Sequence, residues 1–352
     1  MDRDFQIISN PEFYALSPAV NGQILWEFYI NSGFVYPEKL DALKHYKQEI
    51  ISTLDRIVSC SDNTFKIFFA IKDGAIIGSI MAAQLTDGTW VIQHLAVLPE
   101  HRLTPVAKHL LMAINSWMIG NHEMSHFQNY FRQKTKIAYK TFQGMLKERQ
   151  NADYMALEAK DYLVLDYPSA SSLLRATTPD MDVHEMQTAE QSFLYNLMSG
   201  KYKPVSLAAI GFCEQRVPVT RVKAKYENIG LFRARHIFVA VFRDWIVGAA
   251  IIDTTSLGVN LSHLFDATHI FIFDEKIKNK VIVSLTKTIY DIQKDRGKNN
   301  IIVLANPDDS PAYLDLGFQA KRTYLQYNLS RENEMFNYMY DMIDKGTRLS
   351  AP

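Results

Sequence analysis

The same strand pair is written twice in this chain. IFFAIKDGAIIGSI at 67–80 aligns without a gap on IFVAVFRDWIVGAA at 237–250. Ile67/Ile237, Phe68/Phe238, Ala70/Ala240, Ile76/Ile246 and Gly78/Gly248 are identical, and most other positions exchange one apolar residue for another. A second block follows at a similar distance. HLAVLPE at 94–100 pairs with HIFIFDE at 269–275, each opening on His and closing on Glu. The repeat predicts two equivalent units, and 352 residues suffice for two domains of ordinary size. The functional question is then which unit holds a site and which supports it.

Composition narrows the classes. The 38 basic and 38 acidic residues cancel, which counts against a nucleic-acid binder or a polybasic membrane protein. Cys60 and Cys213 are too few for a disulfide framework, and the opening MDRDFQIIS has no apolar signal core. No apolar run approaches the roughly 20 residues of a membrane span. The expectation is a cytoplasmic globular protein that binds neither nucleic acid nor membrane.

The pattern predicts a strand at 4–9, then a helical region from Asn10-Pro11 with Leu16, Val20, Ile24, Leu25 and Phe28 at helical spacing. A helix follows from Pro37 to about 58, then strands at 65–72, 75–84 and 89–98 with Asp-Gly turns at 73–74 and 87–88. Thr104-Pro105 reads as a cap and first position of a helix to about 119. A strand near 125–131, a helix near 135–146 and two strands within 153–166 end the first unit. The polar PSASS at 168–172 is the candidate linker, giving domains 1–167 and 168–352. The second unit is read as a strand near 182–188, helical material to about 212, a loop or short helix at 215–235, and strands at 237–243, 246–254 and 261–273. A helix at 278–295, a strand at 300–305, a short helix at 310–316, a strand near 319–329 and an amphipathic C-terminal helix with Met335, Tyr338, Met339 and Met342 complete it. The fold class is α/β in the broad sense (α+β), two mostly antiparallel mixed sheets flanked by helices.

Two motifs carry a resemblance. LAVLPEHRLTPVAKHLL at 95–111 resembles the strand, turn and helix that hold an acyl-CoA pyrophosphate in the GNAT N-acyltransferase superfamily, with Arg102, Pro105 and Ala107 at the positions of the family's Arg/Gln-x-x-Gly-x-Gly/Ala turn. NPDDSPAYLDLGF at 306–318 resembles its late motif, through Asn306, Tyr313, Gly317 and Phe318. The chain thus looks like two GNAT domains in tandem. Helix N-termini suit phosphate because their N–H groups are unpaired and carry partial positive charge. Pro105 departs from the pattern and removes one donor.

The resemblance implies direct transfer of an acyl group from acetyl-CoA, or another acyl-CoA, to an amine, with no metal. The donor would be held around Val97 and Leu98 and by Arg102, Thr104 and Ala107, with Asn306 as the late-motif counterpart. His94 and His269 are candidate bases, or hydrogen-bonded structural histidines. Tyr139 and Tyr313 are candidate acids for the departing thiolate, or core residues. In the first unit Arg132 stands where the motif has Asn, and Gly144 lies one residue late. The second turn, FDEKIKNKV at 273–281, lacks glycine and mixes Asp274 and Glu275 with Lys276, Lys278 and Lys280. Each unit keeps a different half of the chemistry. The acceptor would be a small-molecule or peptide amine. An acyl carrier protein as donor, a homo-oligomer and a catalytically silent binding protein are the other arrangements the sequence allows; aminoacyl transfer from charged tRNA fits a neutral surface poorly. His122 and His126 have no third metal ligand in sequence reach, and no thiol nucleophile is evident.

Overall fold

Both hairpins form where the repeat places them. The computed structural model describes residues 4–10, 12, 21–148, 153–170, 173, 180–213, 220–295 and 298–348. Strands β2 (Phe65–Lys72) and β3 (Ala75–Gln84) turn through Asp73 and Gly74, with φ of 49° and 77°. Strands β8 (Arg233–Phe242) and β9 (Trp245–Thr255) turn through Arg243 and Asp244, with φ of 51° and 64°. Two successive positive φ values match the right-handed twist of the flanking strands. The register slips at the same column in both copies, between Ala70 and Ile71 and between Ala240 and Val241.

The shared glycine has a packing reason. A Cβ on Gly78 would stand 2.7 Å from Val106 Cγ1, and one on Gly248 would stand 2.3 Å from Val281 Cγ1. The helices Val106–Gly120 and Lys278–Asp295 each rest on a bare strand backbone at this point.

The remaining strands are β1 (Gln6–Ser9), β4 (Thr89–Val97), β5 (His126–Phe131), β6 (Met155–Asp166), β7 (Met181–Glu185), β10 (His269–Ile272), β11 (Asn300–Ala305) and β12 (Gln319–Ser330). One sheet runs β1-β2-β3-β4-β5-β12-β6-β11 and the other β10-β9-β8-β7. They meet at a parallel bridge between Thr268 and Val303, the counterpart of the parallel β4–β5 pair. Read across both sheets, the order is near-symmetric about the β12–β6 pair. The last strand of each repeat lies beside the penultimate strand of the other, β12 on β5 and β6 on β11. The two repeats are knitted together by this exchange, and side chains from late in the chain reach the first repeat's cleft.

Other contacts cross in the same way. Tyr226, on the helix Thr220–Asn228, donates from its hydroxyl to Gln84 O at 2.9 Å, and fully buried Arg233 donates from Nη2 to Leu85 O at 2.8 Å. The C-terminal helix Met335–Arg348 folds back on the first repeat. Its Met335, Phe336, Met339 and Ile343 join Leu110, Ile114, Met118, Phe142 and Met145 in one apolar core. This burial, rather than helix propensity, fixes a short helix in place.

Several expectations are corrected. The helix from Pro37 is broken into Pro37–Leu43, a 3-10 turn at Lys44–Tyr46 and Lys47–Ser59. Residues 155–166 form one strand, not two. The strand expected over 261–273 shrinks to His269–Ile272, because 256–268 is taken up as a loop over β4. Thr104 is not a helix cap: its hydroxyl donates to His101 O at 2.7 Å, and the helix begins at Val106 with Pro105 before it. Leu16, Val20 and the Ser171-Ser172 end of the linker lie outside the described residues.

Candidate active site

The cleft opens where two parallel strands part. Strands β4 and β5 pair only from Thr89/His126 to Ile92/Asn129. Just beyond, β4 bulges, with the register against β3 slipping between Ser79 and Met81 and His94 at φ 55°. A cavity of about 730 Å³ fills the gap. One wall is apolar, from Leu95, Leu111, Phe131, Ala138, Phe142 and Ile343. The other carries Tyr36, Lys39, Arg132, Arg322 and Tyr324, with Asn260 and Ser262 from the loop of the second repeat.

His94 lines this cleft and is buried, at 3% exposure. Its Nε2 accepts the backbone N–H of Leu261 at 3.2 Å, so the neutral ring carries its proton on Nδ1. Nδ1 is buried and has no partner among the described residues. Burial, helped by the Lys39 charge, holds its pKa well below the ordinary value. The ring therefore offers a donor rather than a free lone pair. Gln93, beside it, donates to Val259 O at 2.8 Å and accepts from Asn260.

Ala107 also lines the cleft, in the first turn of the helix Val106–Gly120. The first helical N–H to bond back is that of His109, to Pro105 O at 3.0 Å, so the preceding N–H groups carry none of the helix's own bonds. Arg102 braces the turn: its Nη2 donates to Ser32 O at 2.6 Å, beside Gly33 of the cleft rim. Thr104 is exposed and Val97 half-buried; the N–H of Leu98 is taken by Ile77 O at 3.0 Å. Lys108, one residue past Ala107, pairs with Asp344 of the C-terminal helix at 3.1 Å.

Tyr139 is half-buried on the helix Lys136–Glu148, one residue from the lining residue Ala138, and its hydroxyl accepts from Gln143 Nε2 at 2.6 Å.

The second repeat arranges the same elements differently. Asp274 accepts the Lys276 N–H at 2.9 Å, and Lys278 Nζ lies 2.7 Å from both Glu275 and Asp309. Lys278 is thus taken up by two carboxylates. Tyr313 is 1% exposed, packs edge-on against Phe318, and is held far above its ordinary pKa by burial and then by the charge of Asp309. Asn306 accepts Lys160 Nζ at 2.7 Å. His269 is half-buried, and desolvation, then the Lys160 charge, pushes its pKa down to about 4. The structure thus brings His94 and Ala107 together at one cleft with Arg102 at its rim, and leaves His269, Asn306 and Tyr313 in the other repeat.

Sequence reasoning missed the cationic wall. In the sequence Arg132 is only an irregular motif residue. The segment Tyr36–Lys39 and Arg322 sit far apart in the chain, and the strand exchange that joins them has no local signature.

Residues 23–134 match the model of the acetyltransferase (GNAT) family. This segment spans β2 to β5, and so both strands that flank the cleft, together with the turn at 102. No curated protein matches the chain. Similar solved structures include a putative acetyltransferase from Pyrococcus horikoshii, at 10% identity and a TM-score of 0.48, covering 95% of this chain and 92% of that one. A tandem GNAT protein from the clavulanic acid biosynthesis pathway has 9% identity and a TM-score of 0.44, covering 81% and 87%. A GCN5-related N-acetyltransferase from Sphaerobacter thermophilus has 12% identity and a TM-score of 0.41, covering 75% and 80%.

Proposed function

We propose that this chain is an N-acyltransferase with one working cleft, in the first repeat, and that the second repeat walls and braces it. The observation that carries this reading is the cavity between the diverging β4 and β5, two strands of the segment that matches an acetyltransferase family, beside the open end of the helix Val106–Gly120.

In this reading an acyl-CoA thioester enters between the strands. Its phosphates meet the first-turn N–H groups and Arg102, and its acyl group meets the apolar wall. The acceptor amine attacks the thioester carbonyl carbon, the C–S bond breaks, and the amine loses a proton while the thiolate gains one. His94 donates from Nδ1 to an oxygen in the cleft. Tyr139 is the acid we assign to the thiolate; its hydroxyl oxygen accepts from Gln143, which leaves its own proton to give. Among the described residues no group of three metal-binding side chains occurs, and the acyl transfer as written uses none.

Calorimetric titration with acetyl-CoA, a longer acyl-CoA and free CoA tests this. Saturable binding that weakens in Arg102→Glu supports the first-repeat site. Absence of binding to all three rejects the CoA-dependent reading.

A further inference from the structure

The polar wall of the cleft is unusual in charge. Lys39, Arg132 and Arg322 all line it, Lys134 adds a fourth positive group at the rim, and no acidic residue lines it. Arg132 and Arg322 each lie 5.8 Å from the ring centre of Tyr36. Lys39 Nζ stands 4.2 Å from the ring centre of Phe34 and donates to Ser262 Oγ at 3.1 Å. Among the described residues, none of these four cations is in an ion pair. Converging cations without an anion repel one another in a partly dry site. Lys39 registers this: burial first, then the charges of Arg322 and Arg132, push its pKa down to about 7. The buried, unpartnered Nδ1–H of His94 adds a neutral donor to the same cleft.

Each feature asks for an anionic ligand group. Two guanidinium groups near one phenol ring, with a lysine ammonium facing them, suit a carboxylate or phosphate, which accepts several N–H bonds at once. The donor's phosphates are one source of such a group and the acceptor is another. Position favours the acceptor. The cluster is built from the segment Tyr36–Lys39, the residue after β5, β12 and the second repeat's loop, and none of its members lies on the turn at 102–107.

We propose that the acceptor amine of this cleft carries a carboxylate or phosphate, bound by Lys39, Arg132 and Arg322 beside Tyr36. This deepens the acyltransferase reading and rests on it for the word acceptor; the anion site itself does not.

The experiment has two arms on the full chain. In the first, inorganic phosphate and glutarate are titrated calorimetrically without any CoA. Saturable binding is expected, weakened about tenfold or more by Arg322→Gln and partly restored by Arg322→Lys, with folding checked by circular dichroism. No binding by the parent chain, or binding equal in parent and folded Arg322→Gln, overturns the anion site. In the second, thiol release from acetyl-CoA is followed with glutamate, aspartate and phosphoethanolamine against ethanolamine and spermidine. The anionic amines are expected to have the lower KM, by about tenfold, and Arg322→Gln to raise that KM while leaving the KM of acetyl-CoA within about twofold. A preference for spermidine, or an Arg322→Gln effect on acetyl-CoA alone, overturns the acceptor assignment. Anion binding in the first arm with no thiol release in the second rejects the acyltransferase reading, and with it the acceptor assignment, while leaving the anion site standing.

Discussion

The backbone N–H of Leu261 donates to Nε2 of His94 across 3.2 Å, so a loop of the second repeat occupies the imidazole lone pair of the first. A base would need that lone pair, and the bond fixes the opposite tautomer. His94→Gln is therefore expected to lower kcat modestly, about tenfold or less, with no new pH limb between 6 and 8. A loss of a thousandfold together with a vanished limb near neutrality would make His94 the base instead. The kcat profile of both forms over that range decides it.

Much of this geometry was legible in the sequence, and the part that was not has a physical reason. The hairpins, their turns and the shared glycine follow from alternation and turn chemistry, which are local. Gly78 and Gly248 even predict where a helix lands, since only a missing Cβ leaves room for Val106 and Val281. The exchange of β6 and β12 depends on which of two similar strands sits nearest, which no window of residues encodes. Residues 261–268 form the loop over β4 instead of extending a strand: Leu261 and Phe265 are buried in the first repeat's core, and Leu264 packs with Tyr162, Val164 and Tyr324. Lys39, Arg132 and Arg322 form a site only after that exchange.

The paired glycines make a stability prediction. Gly78→Ala pushes a methyl against Val106 and Leu110, and Gly248→Ala pushes one against Val281 and the Phe271 carbonyl. Overpacking of this kind costs about 1–3 kcal/mol. The Gly248 change should cost more, because a backbone atom at 3.0 Å yields less easily than a side chain. Urea midpoints measure both, and Val106→Ala in the Gly78→Ala background should recover part of the loss. No recovery would place the strain elsewhere.

The two tyrosines separate the repeats. Tyr313 is enclosed by the second core, whereas Tyr139 neighbours the lining residue Ala138. Tyr313→Phe should leave kcat within about twofold, and Tyr139→Phe should lower it about a hundredfold, the usual scale for a positioned acid. The reverse ranking would move the chemistry to the second repeat, and equal activity of both variants with the parent would reject both assignments.

Acid should destabilise this fold before its carboxylates titrate. His94 is held well below its ordinary pKa, and His126 and His269 are each pushed down to about 4, all mainly by burial. The unfolded chain takes up these protons as pH falls through about 6.5 and the native chain does not, so stability drops with pH at up to about 1.4 kcal/mol per unit for each histidine. His184 acts oppositely: Glu190 and Asp182 raise its pKa, so its contribution is present in acid and fades as pH rises through the raised value. A net fall is expected from pH 6.5 to 4. Denaturant midpoints for parent and His269→Gln over that window test it, and identical slopes would show that His269 titrates normally in the fold.

Lys39 carries the last prediction, because its cost and its use point in opposite directions. The half-buried side chain sets its ammonium over Phe34, and desolvation first, then the charges of Arg322 and Arg132, pull its pKa from the ordinary lysine value down to about 7. The unfolded chain keeps that proton up to about pH 10.4, so this term penalises the native state below that value, and the penalty grows as pH falls towards 7. Lys39→Met removes the charge and keeps the stem's length, so it should stabilise the ligand-free protein by about 1–3 kcal/mol at pH 7. The same change should abolish the affinity gain for anionic probes, since a methionine offers no donor. Anion binding to the parent near pH 8 should also take up a proton, because a carboxylate or phosphate raises the Lys39 pKa again. Titration in two buffers of different ionisation enthalpy reads that uptake directly. A destabilised Lys39→Met with unchanged proton uptake would show that the ammonium is already paired and that the cationic wall has no vacancy for an anion.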